Sequence, residues 1–385
     1  MRNRKIAFDA KRIFNNQTGL GNYSRTLLDN LYRFFPEQTY LLYTPRLPAE
    51  KNKYSEHFTT KAANTRFKHL WRSYSIRKDL ERDEVDLYHG LSNEIPFWLK
   101  NTKTVVTIHD VIFKVLPHTY PPLDRWLYEE KTKYACKHAN KIIAISEQTK
   151  SDLIRFYDAD PTKIEVIYQP CQAIFYEAEK VTEKLGENFE LFPNLAFLKN
   201  LPSEYLLYVG SIIERKNLLT AVKALELLPE KRRIPLVVVG NGKKYKKKVQ
   251  NYISQKGLDR WVIWLTDVTS VQALKHLYEK AKLLIYPSHY EGFGLPIVEA
   301  MLCQTPVITA NLSALKEAGG QSAKLVNPND LNAISYAILE ILEDRNLQRW
   351  MGEKGRQEAL KRFDPKRLTA EVVKVYQQLL RPNFG

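Results

Sequence analysis

Short apolar runs rich in β-branched residues alternate with longer stretches of helical period along the whole chain. This is the pattern of parallel sheets wrapped by helices, an α/β architecture. In the first half the runs predict strands at Lys5–Phe8, Tyr40–Tyr43, Asp86–Tyr88, Thr104–Ile108, Lys141–Ile145 and Ile164–Ile167. In the second half they predict strands at Tyr205–Val209, Leu236–Val239, Val262–Leu265, Leu283–Tyr286, Val307–Thr309 and Lys324–Val326. The stretch Glu177–Ser203 has no clear period and reads as an interdomain linker. The pattern therefore divides into a Rossmann-like domain over 1–176, a linker over 177–203 and a second Rossmann-like domain over 204–364. A length of 385 residues suits two such domains. Open sheets of this kind bind ligands at the carboxyl ends of their strands.

Charge narrows the partners. The formal net charge of +16 favours an anionic partner: a phosphate-bearing substrate, an anionic membrane or nucleic acid. Nucleic acid is the weakest of the three, because the chain shows no zinc-finger spacing and no aromatic-basic recognition motif. The three cysteines, Cys136, Cys171 and Cys303, have no metal-ligand spacing and fit a reducing compartment. The N-terminus runs directly into a strand-like stretch, and no apolar run approaches the ~20 residues that span a bilayer. The expectation is a cytoplasmic protein, either free or peripheral at the inner face of the plasma membrane.

The segment with the most chemistry is Pro287-Ser-His-Tyr-Glu291-Gly-Phe-Gly-Leu-Pro296-Ile-Val-Glu299. A buried strand leads into a glycine-bearing loop, and a helix follows near Pro296, a residue favoured in a first helical turn. Glycines let main-chain N–H groups approach a ligand, and a helix start adds partial positive charge where a phosphate can sit. Upstream, Arg215 and Lys216 follow a strand and the turn at Gly210, a second place for anion binding.

This segment resembles the Glu-x7-Glu motif of the GT-B-fold retaining glycosyltransferases of family 4, group 1. The resemblance extends to Tyr208-Val-Gly-Ser-Ile-Ile-Glu-Arg-Lys216, to Thr18-Gly-Leu-Gly-Asn-Tyr and to Thr107-Ile-His-Asp110. Within that family the chain looks most like bacterial mannosyltransferases of surface-polysaccharide assembly. The resemblance implies two Rossmann-like domains facing across a cleft, acceptor side first and donor side second. It also implies a final helix within 365–385 crossing back to the first domain. It gives Glu291 the donor-sugar hydroxyls and Glu299 the nucleotide ribose, since a carboxylate accepts from both hydroxyls of a vicinal diol. Main-chain N–H groups around Gly294, Leu295 and Ile297 would face the donor phosphates, in a loop that includes Gly292 and Phe293. Arg215 and Lys216 would offset the charge that builds on the departing diphosphate. Where relatives often carry Arg after the glycine of this turn, the chain has Ser211, which shifts phosphate contact toward Arg215.

By the same resemblance, Gly19 and Gly21 lie in a loop over the donor phosphates, and His109 stands near the reacting face, where a neutral imidazole can donate. Asp110 reads as a cap for the following turn. The implied reaction is hexosyl transfer with retention, GDP-mannose being the first donor assignment. No cofactor and no metal is required: the donor's own phosphate oxygen would take the acceptor's proton in a front-face attack. Thr266-Asp267-Val268 is placed at the border of the base pocket.

Three other signals carry less. Asp158-Ala-Asp160 spells a metal-binding Asp-x-Asp, yet it precedes Pro161 in a loop where aspartates form turns. The run from Lys243 to Lys248 reads as a solvated helix face, with attraction to anionic lipid as its alternative. The stretch Arg66–Leu80 places Phe67, Leu70, Trp71 and Tyr74 at helical spacing. It reads as a helix packed on the first sheet, with an interfacial membrane helix as its alternative. Two functions of other classes compete: a nucleotide-dependent oxidoreductase, which needs the complete G-x-G-x-x-G that is missing here, and a non-catalytic polysaccharide- or lipid-binding protein.

Overall fold

A computed structural model describes residues 4–16, 19–47, 53–63, 71–178, 193–266 and 268–381. Thr18, Phe67, Leu70 and Asp267, all named above, lie outside the described residues. The chain divides into two compact units, one of Met1–Pro170 with Phe363–Gly385, the other of Cys171–Arg362.

In the first unit, seven strands form an all-parallel sheet: β1 Lys5–Asp9, β2 Thr39–Thr44, β3 Thr59–Ala62, β4 Leu87–Gly90, β5 Lys103–Ile108, β6 Lys141–Ala144 and β7 Ile164–Val166. Their order is β3-β2-β1-β4-β5-β6-β7. Six follow the apolar runs, because strands buried on both faces must be apolar throughout. β3 is the exception: Thr-Thr-Lys-Ala, half-exposed at the sheet edge, is held by main-chain pairing to β2 rather than by burial.

Trp71, Ile76 and Leu80 are fully buried in the core of this unit, over a short π-helical turn Trp71–Ser75 and a helix Ile76–Arg82. Over its described part, residues 71–80, the stretch packs in this core, and Trp71 has no face left for a membrane. The helix Pro365–Leu380 also belongs to this unit. Asp364 caps it by accepting from the Arg367 N–H at 2.6 Å. Leu368, Val372, Val373 and Tyr376 are buried, and the Tyr376 hydroxyl meets His89 Nδ1 at 2.7 Å. Burial and the neighbouring His109 hold the His89 pKa at about 3, so it stays neutral.

The second unit is a six-stranded all-parallel sheet of β8 Leu206–Val209, β9 Leu236–Val239, β10 Val262–Leu265, β11 Leu283–Tyr286, β12 Val307–Ala310 and β13 Lys324–Val326. The order is β10-β9-β8-β11-β12-β13. Each sheet reverses its winding direction once, at β1/β4 in the first unit and at β8/β11 in the second. Such a reversal opens a crevice at the carboxyl ends of the two strands. The segments singled out in the second half, Gly210–Lys216 and Pro287–Glu299, follow β8 and β11 directly.

Candidate functional site

The turn after β8 is shaped by backbone that side chains resist. Gly210 has φ +145°, and a Cβ there would stand 3.1 Å from Lys216 Nζ. Beside it, Gly240 also has φ +145°, and a Cβ would sit 2.0 Å from the Gly210 carbonyl oxygen. A 3₁₀ turn Glu214–Lys216 follows and ends at Asn217 in the left-handed region. Buried Asn217 donates through Nδ2 to the carbonyls of Pro287 at 3.1 Å and Pro328 at 2.9 Å, tying together the loops after β8, β11 and β13. The His289 N–H donates to the Arg215 carbonyl at 2.9 Å, and the Arg215 guanidinium donates to the Tyr290 carbonyl. Two segments far apart in sequence are thus fastened into one site.

Its charges are paired. Glu291 Oε2 lies 2.7 Å from Arg215 Nη1, and Oε1 lies 3.1 Å from Lys216 Nζ. Tyr286, the last residue of β11, donates its hydroxyl to Glu291 Oε1 at 3.1 Å and accepts from Lys216 Nζ at 2.6 Å. The Lys216 ammonium also stands 4.9 Å from the Tyr286 ring centroid. Burial alone would raise the Glu291 pKa; Lys216 and Arg215 override it and hold the carboxyl at about 2. Burial lowers the Lys216 pKa, and Glu291 resists that shift. The sequence pointed to Glu291, Arg215 and Lys216 separately, but not to their contact with one another. It did not point to Tyr286 at all, whose signal is only a tyrosine at the carboxyl end of a strand at the switch point.

The second acid is handled differently. Gly294, at φ +119°, precedes the helix Leu295–Leu302, with Pro296 in the first turn. The Ile297 N–H donates to the Gly294 carbonyl at 2.9 Å, so the helix itself uses it. A donor phosphate placed at Ile297 would share that N–H with the Gly294 carbonyl. Gly294 and Leu295 come before that bond, where N–H groups have no intrahelical acceptor. Gly292 and Phe293 are buried in the loop between Glu291 and this helix start. Glu299 stands one turn into the helix and accepts from the Tyr278 hydroxyl at 2.9 Å. Burial raises its pKa to about 7, and the Tyr278 bond only moderates the rise. Tyr278, like Tyr286, was not foreseen.

The first unit places its residues less simply. Gly19 and Gly21 are not in a loop: they form the first turn of the helix Gly19–Phe34. A Cβ on Gly21 would stand 1.9 Å from the Asn16 carbonyl oxygen, so local chain packing accounts for that glycine, while a Cβ on Gly19 meets nothing within 4 Å. His109 follows β5 and is buried. Its Nε2 donates to the Leu91 carbonyl at 2.9 Å, Nδ1 accepts from Gln169 Nε2 at 2.9 Å, and the Tyr23 ring lies edge-on at 4.7 Å. Burial holds its pKa at about 4. Both ring nitrogens are engaged by these two partners. Asp110 accepts from the Ile112 N–H at 3.1 Å, as a turn cap does. His109 and Asp110 line a cavity of about 310 Å³ shared with Arg12, Arg72, Glu94 and Lys131. It sits at the carboxyl ends of β1, β4 and β5, the switch point of this sheet.

The discounted motifs are structural. Asp158 ends a helix in the left-handed region, and Asp160 Oδ1 accepts from the Thr162 N–H at 2.9 Å and hydroxyl at 2.7 Å. Lys243, Lys244, Lys247 and Lys248 are exposed around the start of the helix Lys244–Gln255, while Lys246 lies over the Trp264 ring.

Comparison with known proteins agrees with this layout. Residues 196–358 match the family model described as Glycosyl transferases group 1, and residues 19–171 match the one described as Glycosyltransferase Family 4. The O-antigen chain mannosyltransferase B of Escherichia coli is 29% identical over 394 residues, covering 97% of this chain and 100% of that protein. The O-antigen chain mannosyltransferase RfbU of Salmonella typhimurium is 28% identical over 238 residues, covering 61% of this chain and 60% of that protein. Among solved structures, a glycosyltransferase from Rickettsia africae aligns with a TM-score of 0.76 at 17% identity over 100% of both chains. Anabaena HepE, solved in complex with UDP and glucose, aligns with a TM-score of 0.75 at 18% identity, over 97% of this chain and 100% of that one. At such identities the structural likeness speaks for the fold.

Proposed function

The chain belongs to the GT-B glycosyltransferases of group 1 and family 4, and on that premise we propose that it moves a hexose from a nucleotide sugar to a glycan or lipid-linked acceptor. The first assignment of the donor is GDP-mannose, and of the process, cell-surface polysaccharide synthesis. Similarity to the O-antigen chain mannosyltransferase B, over 97% of this chain and all of that protein, supports the mannosyl and polysaccharide assignments. The reaction proceeds with retention and without a metal.

The observation that carries this reading is the Arg215–Lys216–Glu291 cluster at the switch point of the second sheet. Two fixed cations there neutralise charge as it develops on a leaving diphosphate, the task a divalent metal performs elsewhere. Glu291, held charged and clamped on both oxygens, suits orientation of sugar hydroxyls rather than nucleophilic attack. The acceptor proton then passes to a donor phosphate oxygen. Glu299 holds the ribose diol. Peripheral contact with an anionic membrane is part of the proposal: Leu123, Trp126 and Leu127 are exposed at i, i+3 and i+4 of the helix Pro122–His138, which also exposes Lys133 and Lys137. Among the described residues no helix is long and apolar enough to cross a membrane.

The test is a turnover screen with several nucleotide sugars, a lipid-linked acceptor extract and EDTA, the product anomer being read by NMR. Turnover with GDP-mannose in EDTA, giving the donor's anomer, is the expected result. Turnover only with uridine-diphosphate sugars removes the mannosyl assignment, and strict dependence on manganese or magnesium removes the metal-free mechanism. Failure to pellet with vesicles containing anionic lipid removes the membrane contact.

A further inference from the structure

The cavity at the switch point of the first sheet gathers three cations, Arg12, Arg72 and Lys131, around Glu94, with Asp9 and Asp110 beside them. Arg72 pairs with Asp9 through Nε and with Glu94 through Nη1. Lys131 reaches the other Glu94 oxygen at 2.6 Å. Asp110 is engaged in its turn cap. Arg12 is held only through Nε, which donates to Ser92 Oγ at 3.0 Å, and it makes no ion pair among the described residues. Arg72 Nη2 is buried without a hydrogen-bond partner. Burial and the facing Arg72 lower the Arg12 pKa, and Asp9 and Glu94 offset only part of that shift. A buried guanidinium N–H without an acceptor is costly. Opposite these groups, Phe113, Tyr120 and Tyr128 form an aromatic wall with ring centroids 5.8–6.3 Å apart. A few placed polar groups facing aromatic rings are the marks of a small-molecule site.

We propose that Arg12 and Arg72 form an oxyanion subsite for the acceptor, receiving a phosphate or carboxylate group of the acceptor glycan while a sugar ring lies on Phe113, Tyr120 and Tyr128. This rests on the glycosyltransferase reading and adds to it: the acceptor is anionic at the position bound here. A guanidinium pair matches the planar, multiply accepting geometry of either anion. Glu94, held by Arg72 and Lys131, is placed to accept from a sugar hydroxyl beside the anion.

The test is calorimetric titration of the full-length protein with mannose 6-phosphate, glucuronate and uncharged methyl mannoside. At least one charged probe should bind about tenfold or more above the neutral one, the difference expected of one charge-assisted hydrogen bond. The phosphate–glucuronate order then identifies the anion. Arg12→Gln should abolish the advantage of the charged probe and leave the neutral probe unchanged. Arg12→Lys, which keeps the charge, should retain most of it. Equal binding of all three probes, or an advantage that survives Arg12→Gln, overturns the subsite. So does an advantage lost in Lys216→Ala instead, which would place the anion in the second unit. Titration with GDP on the same samples separates the two ideas: no GDP binding by wild type speaks against the donor reading, whatever the sugar probes show.

Discussion

Replacing Glu291 by Gln keeps the side chain's size and removes its charge from a site with two cations. The separations, 2.7 Å to Arg215 and 3.1 Å to Lys216, correspond to gross attractions of about 6 and about 5 kcal/mol at an effective dielectric near 20. Desolvation of three buried charges offsets much of this. Removing one partner of such a cluster costs about 3–5 kcal/mol, because the remaining charges stay buried. The pKa gives the same scale: a fall from 4.5 to about 2 corresponds to about 3 kcal/mol of preference for the charged form. Urea denaturation at pH 7 should therefore show Glu291→Gln less stable by about 3 kcal/mol. A depressed carboxyl contributes stability that is complete above its unfolded value near 4.5 and is lost as pH falls through about 2. The difference between the two proteins should thus be flat from pH 6 to 8. Turnover should fall by about 10²–10³, as with other lost groups that orient or stabilise the transition state. A variant within 1 kcal/mol of wild type and turning over at a comparable rate would show that this cluster is not what organises the site.

Lys216→Ala should lower kcat by about 10²–10³, with Lys216→Arg recovering part of it; steady-state kinetics at saturating donor would expose an unchanged rate, which removes Lys216 from the chemistry. Nucleotide affinity should rise about tenfold from pH 6 to pH 8, because a ribose diol donates to ionised Glu299, whose pKa is about 7. Glu299→Gln should flatten that profile, and a profile equally steep in the variant would assign it to another group. Gly240→Ala should lose more than about 3 kcal/mol, since its φ of +145° is strained for alanine and its Cβ would stand 2.0 Å from the Gly210 carbonyl. A thermal midpoint equal to wild type would refute that backbone geometry.

The central parallel strands were legible because burial on both faces demands unbroken apolar runs, and β8, β9 and β11 carry little else. β3 was not, because an edge strand satisfies its main chain through one neighbour and can be as polar as Thr-Thr-Lys-Ala. The resemblance put Gly19 and Gly21 in a loop, yet a first helical turn tolerates glycine and Gly21 needs the room beside Asn16. Trp71 beside Arg72 left a membrane interface open as the alternative to a packed helix, because helical spacing gives a stripe but not which side faces water. His109 was legible as a residue of the strand end at a switch point, but its satisfaction by Leu91 and Gln169 depends on contacts no local pattern encodes.

The two glutamates of the motif show what spacing can and cannot specify. Seven intervening residues place both near one helix start, and so predict that both serve one ligand. They do not predict that the acids occupy opposite electrostatic states. Glu291 is kept ionised by cations that arrive from the turn after β8, through the adjacency of β8 and β11. Glu299 is desolvated within its own unit, with a tyrosine hydroxyl as its partner, and titrates near neutrality. Two cations against one firmly charged carboxylate leave the site positive, and Glu299 adds little negative charge below pH 7. A diphosphate is therefore welcome beside Arg215 and Lys216 only while Glu299 stays away from them. A substitution that drew Glu299 toward the couple would neutralise the site without removing a single cation.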